Sequence, residues 1–257
     1  MVFLLTKAFG GLNEMDKEEI DTPSQAYSLK MGAWYGLLHI VFGFLLRIVS
    51  DVRVEGLENV PDKGPYLLVT NHLHWLDAPV IMVAYPHRAH VFAAEKWAAN
   101  PILGPLFRSL DAIFVQRGEV DRRALRRALA VLRGGGVLGV APEGTRSRTG
   151  AMQRGRSGAA YLAFSANVPV VPLVITGQEH VFPSLRRLHR VPVRVVFGPA
   201  FCPPAVEGKA TAAQVHAFAE EIMYRLAAML PPEYRGVYRD VSERRPDLIR
   251  CPAATKS

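Results

Sequence analysis

Hydrophobic and polar positions divide the chain into an apolar opening, a long stretch in which short β-type runs alternate with helical patterns, and a charged end. The most apolar window is Gly32 to Leu46, GAWYGLLHIVFGFLL, with Lys30 before it and Arg47 after. As a helix it reaches about 22 Å, short of the roughly 30 Å hydrocarbon core of a bilayer. Trp34, Tyr35 and the flanking cations suit a lipid–water boundary. The expectation is therefore a helix that dips into one leaflet, with a full span or an ordinary core helix as alternatives. His39 inside it is read as a tolerated or snorkelling residue.

From Val52 the pattern changes. VRVEGLENVP and Tyr66 to Thr70 read as β structure around a Pro-Asp-Lys-Gly-Pro turn. Further strands are expected at His90 to Ala93, Ala112 to Val115, Gly136 to Val140, Val170 to Ile175 and Val193 to Phe197. Helical spacing appears at Leu76 to Ala84, Val120 to Arg133, Gly158 to Ala166 and Ala212 to Leu230. This alternation predicts a layered α/β domain with a central mixed, largely parallel sheet flanked by helices. The organisation read from it is a membrane-associating helical segment over 1–50, a catalytic domain over 51–230 and a charged, loosely packed tail over 231–257.

The helix VDRRALRRALAVLR carries Leu125, Leu129 and Leu132 on one stripe and five arginines around it, with Asp121 placed to cap its start and Gly134 to Gly136 to end it. Its basic face reads as solvated, or as a cationic surface turned to a membrane. Overall, 31 Lys and Arg against 23 Asp and Glu give a net charge of +8, which favours anionic partners such as lipid headgroups. Nucleic acid is not expected, since neither zinc-finger spacing nor an aromatic-studded basic strand is present. The two cysteines, Cys202 and Cys251, are too far apart for a C-x-x-C pair and fit a reducing cytoplasm. The N-terminus MVFLLTKAFGG makes a poor signal peptide, so the mature chain is read as the whole chain.

The chemistry concentrates where YLLVT gives way to a helix, in Asn71-His72-Leu73-His74-Trp75-Leu76-Asp77. A strand's carboxyl end in an α/β sheet is where sites are built. An imidazole can take the proton of an attacking alcohol, and a carboxylate on its other nitrogen fixes the tautomer. Spaced five apart across a turn, His72 and Asp77 fit those roles, with the acceptor's own hydroxyl as nucleophile. A second cluster follows the strand Gly136 to Val140: Pro142-Glu143-Gly144-Thr145-Arg146-Ser147-Arg148 combines glycine-freed N–H groups, hydroxyls and guanidiniums, the groups a phosphate monoester requires. Arg117 adds a cation beyond another strand. A competing reading takes His72, His74 and Asp77 as part of a binuclear metal hydrolase site, against which the spacing supplies too few ligands. A non-catalytic membrane scaffold of the same fold is the third.

These blocks carry a resemblance. NHLHWLD (71–77), DAIFVQR (111–117), APEGTRS (141–147) and VPVVPLVI (168–175) resemble, in order, the four blocks of the glycerophospholipid acyltransferase superfamily, and most closely the 1-acylglycerol-3-phosphate O-acyltransferases. The resemblance implies transfer of a fatty acyl group from acyl-CoA or acyl carrier protein to the sn-2 hydroxyl of 1-acylglycerol-3-phosphate, giving phosphatidic acid. Other acceptors within the superfamily are glycerol-3-phosphate, other lysophospholipids and lipid amines. It implies His72 as base and Asp77 as its orienting carboxylate. Arg117, Glu143, Gly144, Thr145 and Arg146 would hold the phosphate headgroup, and Pro172 would shape the acyl-donor side. No metal or held cofactor is implied. The expected partners are a lysophospholipid, the acyl thioester and an anionic membrane surface, with the protein peripheral or monotopic on its cytoplasmic face. The sequence departs from the family at His74, Asp111 and Ala141, where a serine, a glycine and an aromatic are usual. Asp111 is expected to weaken the pull of Arg117 on phosphate.

Overall fold

The computed structural model describes residues 32–116, 121–185, 189–243 and 251. Its first element is helix α1 (Ala33–Val49), which passes directly into strand β1 (Ser50–Glu55), so the boundary expected near residue 50 is a helix–strand junction. Tyr35 and Leu38 pack with Met82, and Leu46 joins the main core. Trp34, Leu37, Ile40, Val41, Phe44, Leu45 and Ile48 remain exposed. His39 does not snorkel: its Nδ1 lies 2.9 Å from the carbonyl oxygen of Met82. No helix among the described residues is long and apolar enough to cross a membrane.

Among the described residues the sheet has seven strands: β1, then β2 (Tyr66–Thr70), β3 (His90–Ala94), β4 (Ile113–Val115), β5 (Val137–Val140), β6 (Val170–Thr176) and β7 (Val191–Phe197). Their spatial order is β1-β7-β6-β2-β5-β3-β4. All described pairings are parallel except β6 with β7. Helices α2 (Asp77–Ala84), α3 (Leu103–Ser109), α4 (Arg122–Arg133), α5 (Gly158–Ala166), α6 (Val181–Leu185) and α7 (Ala212–Met229) complete the layers. The α/β class and the largely parallel sheet are as expected, whereas α3 and α6 carry no clear periodic signal.

Burial explains why β2 reads as a continuous apolar run. Tyr66 and Leu68 face one core with Leu46, Val80 and Val195, while Leu67 and Val69 face the other with Leu132, Leu162 and Ile222. A parallel strand covered on both faces loses the polar alternation. By contrast β7 alternates buried Val191, Val193 and Val195 with exposed Pro192 and Arg194, as a strand with one wet face should. Helix α4 sits on the sheet through Ala124, Ala128, Val131 and Leu132, so the contact is centred on small residues, and Leu125 and Leu129 only flank it. Asp121 caps it as expected, Oδ1 accepting from Ala124 N at 3.0 Å.

One expectation is corrected and one contact is new. The segment 231–243 is docked: Met152 N donates to Tyr234 O at 2.8 Å, Gly155 N donates to the Tyr238 hydroxyl at 3.0 Å, and Tyr238 is buried. Tyr234 and Tyr238, one in each of the first two short turns, anchor what charge alone presents as loose. In addition, Cys202 and Cys251, 49 positions apart, are joined with Cα atoms 5.1 Å from each other; distance in sequence says nothing of distance in the fold. Because this link closes a long loop, its reduction, or Cys202→Ser, should destabilise the protein by about 2–4 kcal/mol. Thermal melts with and without reductant measure this, and superimposable curves would contradict it.

Candidate active site

Strands β5, β2 and β6 are parallel neighbours, so their carboxyl ends open on one edge of the sheet. From β2 emerges the segment 71–77, from β5 the loop 141–157, and from β6 the turn at Gly177. Asn71 staples the first to the third. Fully buried, its Nδ2 donates to Ile175 O and its Oδ1 accepts from Ile175 N, both at 2.9 Å.

His72 and Asp77 meet as the spacing suggested. The imidazole Nδ1 lies 2.6 Å from Asp77 Oδ2; His72 is 23% exposed and Asp77 4%. Asp77 opens α2 and folds back over its own turn, where Oδ2 also accepts from Leu73 N at 2.9 Å and both oxygens from His74 N at 3.1–3.2 Å. A carboxylate surrounded by donors is held as an acceptor, which puts the imidazole proton on Nδ1 and the lone pair on Nε2. The arrangement can therefore remove a proton from a group brought to Nε2.

Glu143 takes a different place from the one expected. It is 2% exposed, and its oxygens accept from His72 N at 3.0 Å and Gln153 N at 2.8 Å. It thus positions the backbone of the histidine rather than facing a phosphate or an arginine. Burial pushes its carboxyl above the ordinary 4.5, with the two N–H donors opposing. A further bond, Ser147 N to His72 O at 2.8 Å, ties the same two loops. Gly144 turns the chain at φ +71°, with the side chain of Arg156 close enough that a Cβ would sit 3.0 Å from its Cδ. Arg156, which the sequence reading missed, adds a guanidinium at this turn.

Arg146 is exposed, and no hydrogen bond or ion pair engages its side chain among the described residues. It lies close enough to His74 to disfavour that ring's charged form, although burial is the main cause lowering the His74 pKa. Thr145 donates locally to Arg146 O at 3.1 Å. Arg117 lies outside the described residues. Pro172 is buried inside β6, its carbonyl accepting from Gly198 N at 2.8 Å, so it shapes the sheet beneath the site. The ring of His74 packs with Trp75 and Phe182 at 5.5 and 5.8 Å, and Trp75 and Phe182 stack at 5.0 Å. Among the described residues no group of three or more His, Cys, Asp or Glu side chains is placed to hold a metal ion.

A family model described as Acyltransferase matches residues 51–176, which include the segments that leave β2 and β5. Residues 51–176 are therefore an acyltransferase-family domain. Its relatives include the human 1-acyl-sn-glycerol-3-phosphate acyltransferase alpha, 32% identical over 157 residues, or 57% of this chain and 51% of the relative. The Limnanthes douglasii 1-acyl-sn-glycerol-3-phosphate acyltransferase is 27% identical over 66% of this chain and 61% of its own. The crystal structure of the 1-acyl-sn-glycerophosphate (LPA) acyltransferase PlsC from Thermotoga maritima superposes with a TM-score of 0.60 at 25% identity, covering 82% of this chain and 80% of that one. The chain spans about half the length of these curated relatives. One departure noted in its sequence has a structural setting. Asp111 occupies a left-handed backbone position, φ +51°, which favours glycine and tolerates aspartate, and its carboxylate accepts from Arg88.

The buried Glu143 carboxylate gives a signed prediction. Because the Glu143 pKa is raised in the fold, its contribution to stability falls as pH rises from about 4.5 through the folded value, and is level above it. Urea melts across that range should show this slope in the native protein and lose it in Glu143→Gln. An identical slope in both would remove the assignment to Glu143.

Proposed function

We propose that this acyltransferase moves a fatty acyl group from acyl-CoA or acyl carrier protein to the sn-2 hydroxyl of 1-acylglycerol-3-phosphate, giving phosphatidic acid. The observation that carries the reading is the 2.6 Å contact of His72 Nδ1 with Asp77 Oδ2, which leaves Nε2 as a base. In the proposed step Nε2 takes the hydroxyl proton as that oxygen attacks the thioester carbonyl carbon. The tetrahedral oxyanion collapses with cleavage of the carbon–sulfur bond, and the thiolate departs or takes the proton back from His72. Exposed Arg146, beside the same loop, suits the acceptor's phosphate as a charge-assisted donor. Arg117, two positions after β4 in sequence, is assigned the same task. The names of the relatives and the neighbouring structure favour this acceptor over the others of the superfamily.

We further place the protein at a membrane surface, as a peripheral or monotopic protein. Support comes from the exposed apolar side chains along α1 and the net charge of +8, which favours anionic lipid. The cytoplasmic face is kept as part of this proposal. Against it stands the Cys202–Cys251 link, since a reducing compartment keeps such cysteines as thiols. Alkylation in intact cells decides the point: two labelled thiols fit that face, and none overturns it.

The activity is tested by offering purified protein one labelled thioester and a panel of lysophospholipids, glycerol-3-phosphate and lipid amines. Product should form on 1-acylglycerol-3-phosphate; transfer confined to another acceptor would replace the reading. His72→Ala should lower the rate by about 10²-fold or more with its circular dichroism unchanged, and near-native turnover would remove the base. Arg146→Ala should act chiefly on the KM for phosphorylated acceptors. An equal loss on unphosphorylated ones would give that arginine a structural task.

A further inference from the structure

Gln178 stands 101 positions from Asp77 in sequence and touches it in space. Its Nε2 donates to Asp77 Oδ1 at 2.7 Å, and the residue is fully buried. Gly177 makes the approach possible. It turns at φ +92° where an added Cβ would meet Pro192 O at 2.2 Å, and the chain leaving β6 comes back toward the carboxyl end of β2.

Two features separate this contact from ordinary packing. The Gln178 Oε1 is buried without a hydrogen-bond partner, a cost that a methionine of similar volume would avoid. The amide is therefore oriented by Asp77 alone: turned over, it would set two acceptor oxygens against each other at 2.7 Å. Moreover, without Gln178 the Oδ1 atom keeps only the long bond from His74 N at 3.2 Å, while Oδ2 carries His72 and Leu73. A carboxylate held at one oxygen can rotate away from the imidazole.

We infer that Gln178 is a positioning residue for acyl transfer: it fixes the Asp77 carboxylate from behind, and through it the Nδ1–H tautomer of His72. This rests on the reading of His72 as base. It does not touch the substrate, so its effect falls on kcat and leaves the acceptor KM in place.

Gln178→Met removes the donor at nearly constant volume. Its kcat should fall about tenfold or more, by analogy with the loss of about 10- to 100-fold when partners behind a metal-bound histidine are removed, with KM within about twofold and the thermal midpoint retained. A native kcat per folded molecule would overturn the inference. Gln178→Glu tests it without a change of shape. Protonated, the new carboxyl donates the same bond; ionised, it repels Asp77, so activity should fall with rising pH where the native enzyme's does not. A profile parallel to the native one would likewise overturn it. Should the native chain transfer nothing to 1-acylglycerol-3-phosphate, that failure belongs to the proposed function alone. Proton NMR then still decides the role of Gln178. A slowly exchanging His72 Nδ1–H signal, assigned by its loss in His72→Ala, should weaken in Gln178→Met, and an unchanged signal counts against the inference.

Discussion

A carboxylate withdrawn from water at the edge of a sheet must be surrounded by donors, and most of the site follows from how the chain meets that demand. Asp77 is bonded by the His72 ring, by the N–H groups of Leu73 and His74, and by the Gln178 amide. Glu143 repeats the solution one strand away, with His72 N and Gln153 N. Two acids thus stitch together the ends of three strands. The histidine between them is fixed through its ring by one and through its backbone by the other.

This arrangement divides labour between rigid and open parts. The dyad rests on β2, β5 and β6, whose side chains fill two cores on opposite faces of the sheet, so its geometry is set before any ligand arrives. The groups left exposed lie around it. Trp75, 53% exposed, and Phe182, 42% exposed, stack beside the His74 ring, and exposed Arg146 lies close to the same ring. Preorganised chemistry beneath an apolar and cationic rim suits a substrate with a greasy end and an anionic one.

The fold class, the strand positions and the dyad were legible because each leaves a local trace. The fully buried β2 writes an unbroken apolar run, β7 an alternation, and His72 with Asp77 a short spacing at a strand end. What escaped was set by contacts between distant segments. Glu143 looks like part of a phosphate loop until its two backbone donors are seen. Gln178 carries no motif at all, and its partner lies across the sheet. Helix α3 is too short to establish a period, and Cys202 meets Cys251 across 49 positions, a pairing that no local spacing announces. The tail shows the same lesson: its charges suggested looseness, while Tyr234 and Tyr238 decide its docking.

That docking has a consequence for anyone recombining this protein with its relatives. The loop bearing Arg146 is pinned near one end through Glu143 and near the other where Met152 bonds to Tyr234 and Val237, with Gly155 capped by the hydroxyl of Tyr238. The stretch between is a short bridge hung from two piers, one of them belonging to the C-terminal segment. A chimera that swaps the loop to alter headgroup preference has to carry residues 231–243 with it, or the transplanted bridge will lack its second footing.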